Sequence, residues 1–328
     1  MNFRTQVELP EKEIEIRHSE RIVLFGSCFA ENIGNLLIEN KFQCDVNPFG
    51  VLYNPISIAV ALQQILLKKN YNEDDLFKSG GLWHSWMHHS SFSSPLSDET
   101  LTLINTRLVK ARKEVAEADW LIVTFGTAYV YMNMDTQQVV GNCHKMPEQI
   151  FSRSMLKVST IVEKWQSILK KLRQDNPKLK VLFTVSPIRH VKDGMHGNQL
   201  SKSILLLAID EICQTCPDCH YFPSYEIMMD ELRDYRFYAD DMLHPSLLAV
   251  KYLWTCFSRC YFTKNTLEIM ARWEKLKKAL SHKPFQPDSE EYKTFLSQIV
   301  LKIIEIKEKF PYLDVQKEIE LCEYRLKK

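Results

Sequence analysis

The sequence predicts an α/β fold in three layers, with helices covering both faces of a parallel β-sheet and a helical extension at the C-terminal end. Two observations carry that expectation. Arg21–Gly26 (RIVLFG), Trp120–Phe125 (WLIVTF) and Lys180–Val185 (KVLFTV) are short, near-continuous apolar runs, the pattern of strands buried on both faces. The stretches between them are too long for hairpins and carry apolar residues at helical spacing. Each connection must therefore cross the sheet and leave its strands parallel.

The elements follow in order. Strand Arg21–Gly26 stops at Gly26-Ser27, and Phe29–Glu39 continues as an amphipathic helix through Ile33, Leu36 and Leu37. Phe42–Val46 is a short strand, and Asn54-Pro55 opens a helix to about Lys68. Residues 72–118 read as an insertion holding Gly80-Gly81, a histidine-rich aromatic piece (WHSWMHHSSF) and a helix from Ser97 to Glu117. After strand Trp120–Phe125, Tyr129–Asn133 and Gln137–Val140 flank a turn and read as a hairpin. A long helix is expected over Ser154–Gln174, strand Lys180–Val185 next, then a polar loop over Arg189–Asn198 and a helix over Gln199–Ile212. Tyr221-Phe222 is the last strand, Tyr225–Arg233 a helix, and Ser246–Tyr261 the helix that closes the main domain, 1–262. Beyond it, Lys264–Leu280, Ser289–Phe310 and Val315–Lys327 read as charged amphipathic helices of an extension, 263–328, expected to pack on the main domain or to form a contact between copies.

Composition narrows the function classes. With 42 basic and 41 acidic side chains, the chain lacks the broad positive field of a typical nucleic-acid binder. Its apolar runs fall short of the ~20 residues of a membrane span, and Met1–Glu20 is too charged for the apolar core of a secretion signal. Nine cysteines, an odd number, then suit free thiols in a reducing cytoplasm. Glycine numbers only nine, and Gly26, Gly50 and Gly126 each close one of the first three strands, while Gly34 alone falls inside an expected helix.

In an open parallel sheet, ligands bind beyond the carboxyl ends of the strands. Ser27 sits at the first such end, where a hydroxyl can cap the following helix or act as a nucleophile. Asp241 and His244 lie three residues apart in the loop after the last strand, which opens on the same side. Acyl transfer needs a base to take the serine proton and an acid to orient that base, and this loop can supply both.

Together these residues resemble a known family. Gly26-Ser27-Cys28-Phe29-Ala30 is the motif from which the GSCFA family takes its name, and that family is similar to the SGNH (GDSL-like) hydrolases and acyltransferases. The resemblance spans about Arg21 to Phe262. It implies a flavodoxin-like, SGNH-type sheet with Ser27 as nucleophile, His244 as base and Asp241 as its orienter, working without a cofactor or metal. SGNH enzymes build the oxyanion hole from the serine N–H, a second-block glycine and an asparagine in a G-x-N-D block. Gly50 is the second-block glycine implied here. The third block falls at Gly126-Thr127-Ala128-Tyr129, where Ala128 stands in the asparagine's place; the Thr127 hydroxyl and Asn54 are the substitutes.

The loop Arg189–Asn198 and the aromatic–histidine piece should rim the same site, with Trp86, His88, Arg189, His190 and Asn198 as candidate contacts to a polyhydroxylated ester. His84 and His88, four apart, would share a metal if they lay on a helix. Cys213, Cys216, Cys219 and His220 sit in one short run without a second ligand cluster and read as ordinary thiols. The function expected is a serine esterase or acyltransferase acting on a small ester, such as an O-acylated carbohydrate. The alternatives are a saccharide-binding protein that keeps the scaffold without turnover, and a metal-dependent hydrolase built on the histidine loops.

Overall fold

The computed structural model describes residues 4–11, 14–282 and 284–327. Strand β1 (Arg21–Gly26) leads into α1 (Cys28–Glu39), β2 (Gln43–Val46) and α2 (Pro55–Leu66). A small hairpin, β3 (Phe77–Ser79) and β4 (Leu82–His84), precedes α3 (Ser97–Glu117) and β5 (Trp120–Phe125). Then come β6 (Tyr129–Asn133), β7 (Gln138–Val139), β8 (Phe151–Met155), α4 (Val158–Asp175), β9 (Lys180–Val185), α5 (Gly194–Thr215) and β10 (Cys219–Phe222). The short α6 (Ser224–Glu226) runs into a π-helical turn, Ile227–Glu231, before α7 (Leu247–Tyr261), α8 (Lys264–Ser281), α9 (Glu290–Lys309) and α10 (Gln316–Leu326).

The central sheet has five strands in the order β2-β1-β5-β9-β10, every neighbouring pair parallel. This is the doubly wound order in which the chain reverses direction at its first strand. Side-chain alternation divides each strand between two cores. Val23, Phe25, Leu121, Val123, Phe125, Val181 and Phe183 face a layer built from α2, α3, α4 and α5. Ile22, Leu24, Trp120, Ile122 and Leu182 face α1, α7 and the π-helical turn. Continuous apolar strands are therefore required, because both faces are dry. The helix starts are capped from within the sequence: Ser27 Oγ accepts from Phe29 N, Asn54 Oδ1 from Ser57 N with Pro55 at the first helical position, and Ser246 Oγ from Ala249 N.

Three expectations need correction. Residues 154–155 are not the start of a helix; they end β8, which pairs along the whole of β6, whereas β7 covers only two of its residues. A strand with an open edge took the segment before the helix could. The loop over Arg189–Asn198 is shorter than expected, since α5 begins at Gly194, so Gly197 is a helix residue. A Cβ there would stand 2.7 Å from Asp193 Cβ, which explains a glycine in a helical turn. Third, His84 ends β4 and His88 lies in the following turn, so no helix brings them to i,i+4 spacing. Among the described residues no group of three or more His, Cys, Asp or Glu is placed to hold a metal, and all nine cysteines are unpaired. No helix among the described residues is long and apolar enough to cross a membrane.

The C-terminal helices bury their own core, with Trp273, Leu276, Leu296, Ile299, Ile303 and Cys322 as members. Leu301 and Ile304 stay exposed. Polar contacts join this unit to the end of α1: Lys41 Nζ pairs with Glu318 at 2.8 Å and Trp273 Nε1 donates to Glu39 O at 2.9 Å.

Gly34 shows how closely α1 lies on the sheet. A Cβ there would stand 2.5 Å from Val46 Cγ2 on β2. Helix propensity favours alanine over glycine by about 1 kcal/mol, but overpacking a stiff β-branched neighbour costs roughly 1–3 kcal/mol. Gly34→Ala is therefore expected to lower the urea midpoint, and adding Val46→Ala to recover part of the loss. A midpoint that rises with Gly34→Ala alone would show that the helix is not held this close.

Candidate active site

All five strand ends of the central sheet contribute a polar or glycine residue to one edge. Asn47 follows β2, Ser27 follows β1, Gly126 follows β5, the segment Ser186–His190 follows β9, and the Asp241–His244 loop lies in the connection after β10. Ser27 is fully buried, its Oγ accepting from Phe29 N at 3.3 Å. Gly26 allows this turn: its φ is +149°, and a Cβ would lie 2.4 Å from Thr124 O. Asn47 fixes the turn from the other side, its Oδ1 accepting from Gly26 N at 2.9 Å.

His244 Nδ1 lies 2.5 Å from Asp241 Oδ2, while Asp241 Oδ1 accepts from the backbone N–H groups of Leu243 and His244 at 2.9 Å each. Those two N–H groups, followed by the imidazole, hold the Asp241 carboxyl at about 2, well below its ordinary value. Asp241 is thus a fixed carboxylate on Nδ1, and this leaves Nε2 as the ring nitrogen available to a reactant. The loop docks on the neighbouring strand end, for Arg189 N donates to Leu243 O at 3.3 Å and Arg189 Nη2 donates to Met242 O.

The residues expected to form an oxyanion hole are already engaged. Gly50 N donates to Asn47 O at 2.8 Å, and His89 Cβ fills the space beside its Cα. Asn54 spends its side chain on Ser57, accepting from the backbone N and donating to Oγ at 2.7 Å. Thr127 N donates to Tyr53 O, and its hydroxyl sits 3.1 Å from Ser201 Oγ while accepting from Tyr129 N. Ala128 is buried, its N–H donated to Ser201 Oγ.

A cavity of about 410 Å³ lies beside this edge, with Tyr53, Asn54, Thr127, Tyr129, Tyr131, Arg153, His190 and Lys192 on its walls; Ser27, Asp241 and His244 do not line it. Arg153 forms a bidentate pair with Asp193 and lies 4.1 Å from the Tyr129 ring centre. Lys192 donates to Tyr131 Oη at 2.8 Å. Among the expected substrate contacts, only His190 lines this space. Trp86 is stacked on Phe77 at 3.7 Å, and His88 is buried, stacked on Phe49 with Nδ1 at Ser85 Oγ. Both are held off the cavity wall by aromatic packing. Asn198 is buried and accepts from His190 N at 2.9 Å. Arg189 faces a separate recess, its guanidinium 4.3 Å from the Tyr238 ring centre.

One residue went unnoticed in the sequence. Lys202 on α5 is fully buried and donates to Gly126 O and Ser186 O, 2.7 Å each. Burial brings its ammonium down to about 7. The signal was present, because Asn198, Lys202, Leu205 and Ile209 share the inward stripe of α5, where a lysine must find partners.

The GSCFA family model matches residues 21–257, and the model of the C-terminal domain of GSCFA domain proteins matches 273–328. The chain belongs to the GSCFA family. No curated protein matches it in sequence. Among solved structures, it is similar to a Clostridium thermocellum family 3 carbohydrate esterase, at 8% identity and a TM-score of 0.36, over 77% of this chain and 98% of that one. It is also similar to the acetyl xylan esterase Est2A from the rumen bacterium Butyrivibrio proteoclasticus, at 10% identity and a TM-score of 0.33, over 79% and 65% of the two chains. Neither likeness assigns a role to any residue of this GSCFA chain.

Three imidazoles near the cavity and its wall are held neutral. Burial is the main cause in each, bringing His88 to about 3 and His144 and His190 to about 4, from an ordinary 6.5. The unfolded chain takes up protons that these rings refuse, so stability is complete above about pH 6.5 and is lost as pH falls toward 4. Urea midpoints at pH 7 and pH 5 should differ, with His88 alone contributing roughly 2 kcal/mol to the loss. A flat profile over that interval would mean that these rings are not buried as described.

Proposed function

We propose that this GSCFA protein is a serine esterase or acyltransferase that works through an acyl-enzyme on Ser27. The observation that carries this reading is the Asp241–His244 pair. It has Nδ1 committed and Nε2 available, and it is docked on the same sheet edge that presents Ser27. Ser27 Oγ attacks the ester carbonyl carbon and gives its proton to His244 Nε2. The tetrahedral intermediate collapses by breaking the bond to the alcohol oxygen, which takes the proton from His244. Water or a second alcohol, deprotonated by His244, then attacks the acyl carbon, and the bond to Ser27 Oγ breaks as that oxygen takes the proton back from His244. Membership of the GSCFA family, with its motif at the end of β1, supports the same assignment.

An O-acylated carbohydrate is the substrate class we favour. The cavity wall combines Tyr53, Tyr129 and Tyr131 with Arg153 and Lys192, an aromatic and polar lining of the kind a sugar uses, although Arg153 and Lys192 already lie against the Tyr129 and Tyr131 rings. Nine unpaired thiols suit a cytoplasmic setting for this chemistry.

A second reading, saccharide binding without turnover, is favoured by one observation. Ser27 has no exposed surface, so a carbonyl reaches its Oγ only when neighbouring side chains give way. Kinetics on p-nitrophenyl acetate and an acetylated sugar separate the two. The esterase reading expects turnover that Ser27→Ala and His244→Ala each reduce on the order of 10³-fold or more, with thermal melts preserved. Undiminished activity in folded Ser27→Ala would end it; sugar binding with no acetate release would favour the second reading.

A further inference from the structure

Ala128 removes the side-chain donor that an oxyanion hole of this type would use, and the donors of Gly50, Asn54 and Thr127 are drawn into other hydrogen bonds. Two nitrogens of cavity-wall residues are in the opposite condition, Arg153 Nε and His190 Nε2, and the Arg153 guanidinium is already held by its pair with Asp193. His190 Nε2 is shielded from solvent and has no hydrogen-bond partner among the described residues. An imidazole nitrogen buried without a partner is destabilising, so one kept on this wall points to a purpose it serves.

The position of His190 indicates what is served. The point where a Gly126 Cβ would stand lies 3.4 Å from His190 Nε2 and 3.5 Å from Ser27 Cβ. Tyr53 O lies nearer still, 2.9 Å from the same point, so the imidazole and the serine flank Gly126 in a closely packed edge, and a substrate carbonyl enters between them only when this packing opens. The ring is held from behind, with His190 N donating to buried Asn198 Oδ1 and the Tyr53 ring edge-on at 6.1 Å. Asn47 Nδ2 is also unpartnered, but its amide oxygen is turned to Gly26 N on the β2 side and the residue is off the cavity wall.

We propose that His190 Nε2–H is the side-chain donor to the oxyanion formed when Ser27 attacks, replacing from the end of β9 the donor that Ala128 cannot supply. This deepens the esterase reading and rests on it. His190 acts as a neutral N–H donor, gives up no proton and undergoes no net change through the reaction. Burial keeps the ring uncharged, aided by Lys202 and His244 and opposed by Asp193, the titratable groups facing it. A neutral imidazole suits the task because it polarises a carbonyl oxygen without competing with His244 for the serine proton. The negative charge that develops on the oxygen strengthens the bond in the transition state, so the effect falls on kcat.

The test combines labelling of the wild type with fluorophosphonate, read by peptide mass spectrometry, and steady-state kinetics of His190→Leu and His190→Gln on p-nitrophenyl acetate. The expected result is a label on Ser27, a kcat lowered about 10²–10³-fold in His190→Leu with KM within about threefold, and at least tenfold recovery in His190→Gln, which keeps an N–H donor. A wild type that hydrolyses the ester but carries its label on another residue overturns the Ser27 reading and this proposal with it. A wild type labelled on Ser27 whose His190→Leu variant keeps its kcat overturns the proposal alone. Equal loss in the leucine and glutamine variants also overturns it, since that would mark His190 as a base. If the leucine variant does not fold, His190→Gln is compared with His190→Glu, which sets an anion against the oxyanion. The glutamate variant must be at least tenfold slower, and equal rates overturn the proposal.

Discussion

A single buried ammonium ties the edge of the sheet together. Lys202 reaches from α5 to the carbonyls of Gly126 and Ser186, at the ends of the adjacent strands β5 and β9. Those carbonyls lie just beyond the last ladder positions, where burial without a donor would be costly. The lysine meets both, at the expense of its own hydration, and burial accordingly weakens its hold on the proton. Gly126 then lies between Ser27 and His190, and Ser186 starts the segment that carries Arg189 and His190 onto the Asp241–His244 loop. Loss of this tie would release two strand ends at once, so Lys202 is a positioning residue for the whole edge.

The layered architecture was legible in the sequence because it follows from burial. Trp120–Phe125 and Lys180–Val185 are apolar at every position or nearly so, and only a sheet covered on both faces demands that. Residues 154–155 were misread because their strand character comes from their β6 partners Val130 and Tyr129, far from them in sequence, and local periodicity carries no record of that pairing. His88 was misread for a related reason. A histidine beside tryptophans looks like a wall of a pocket, yet its ring is stacked on Phe49, nearly forty residues away in sequence.

The site was legible in part. Ser27, Asp241 and His244 stood out as candidates because the GSCFA motif and the D-x-x-H spacing, each weak alone, carry a family resemblance together. The state of each hydrogen-bond donor did not, since it depends on contacts across the fold. Gly50 looked open after β2 but gives its N–H to Asn47, while His190 looked like one polar loop residue among many. Lys202 was hidden by a habit of reading lysine as surface, although its place in the inward stripe of α5 argues otherwise.

A crystal structure of the protein after reaction with a fluorophosphonate tests the central claim most directly. The account predicts phosphorus bonded to Ser27 Oγ, with the phosphoryl oxygen at hydrogen-bond distance, about 2.7–3.2 Å, from His190 Nε2. His244 Nε2 should face Oγ from the other side, with Nδ1 still on Asp241. An adduct on Cys28 or any other residue would contradict it, as would a Ser27 adduct whose phosphoryl oxygen points away from His190.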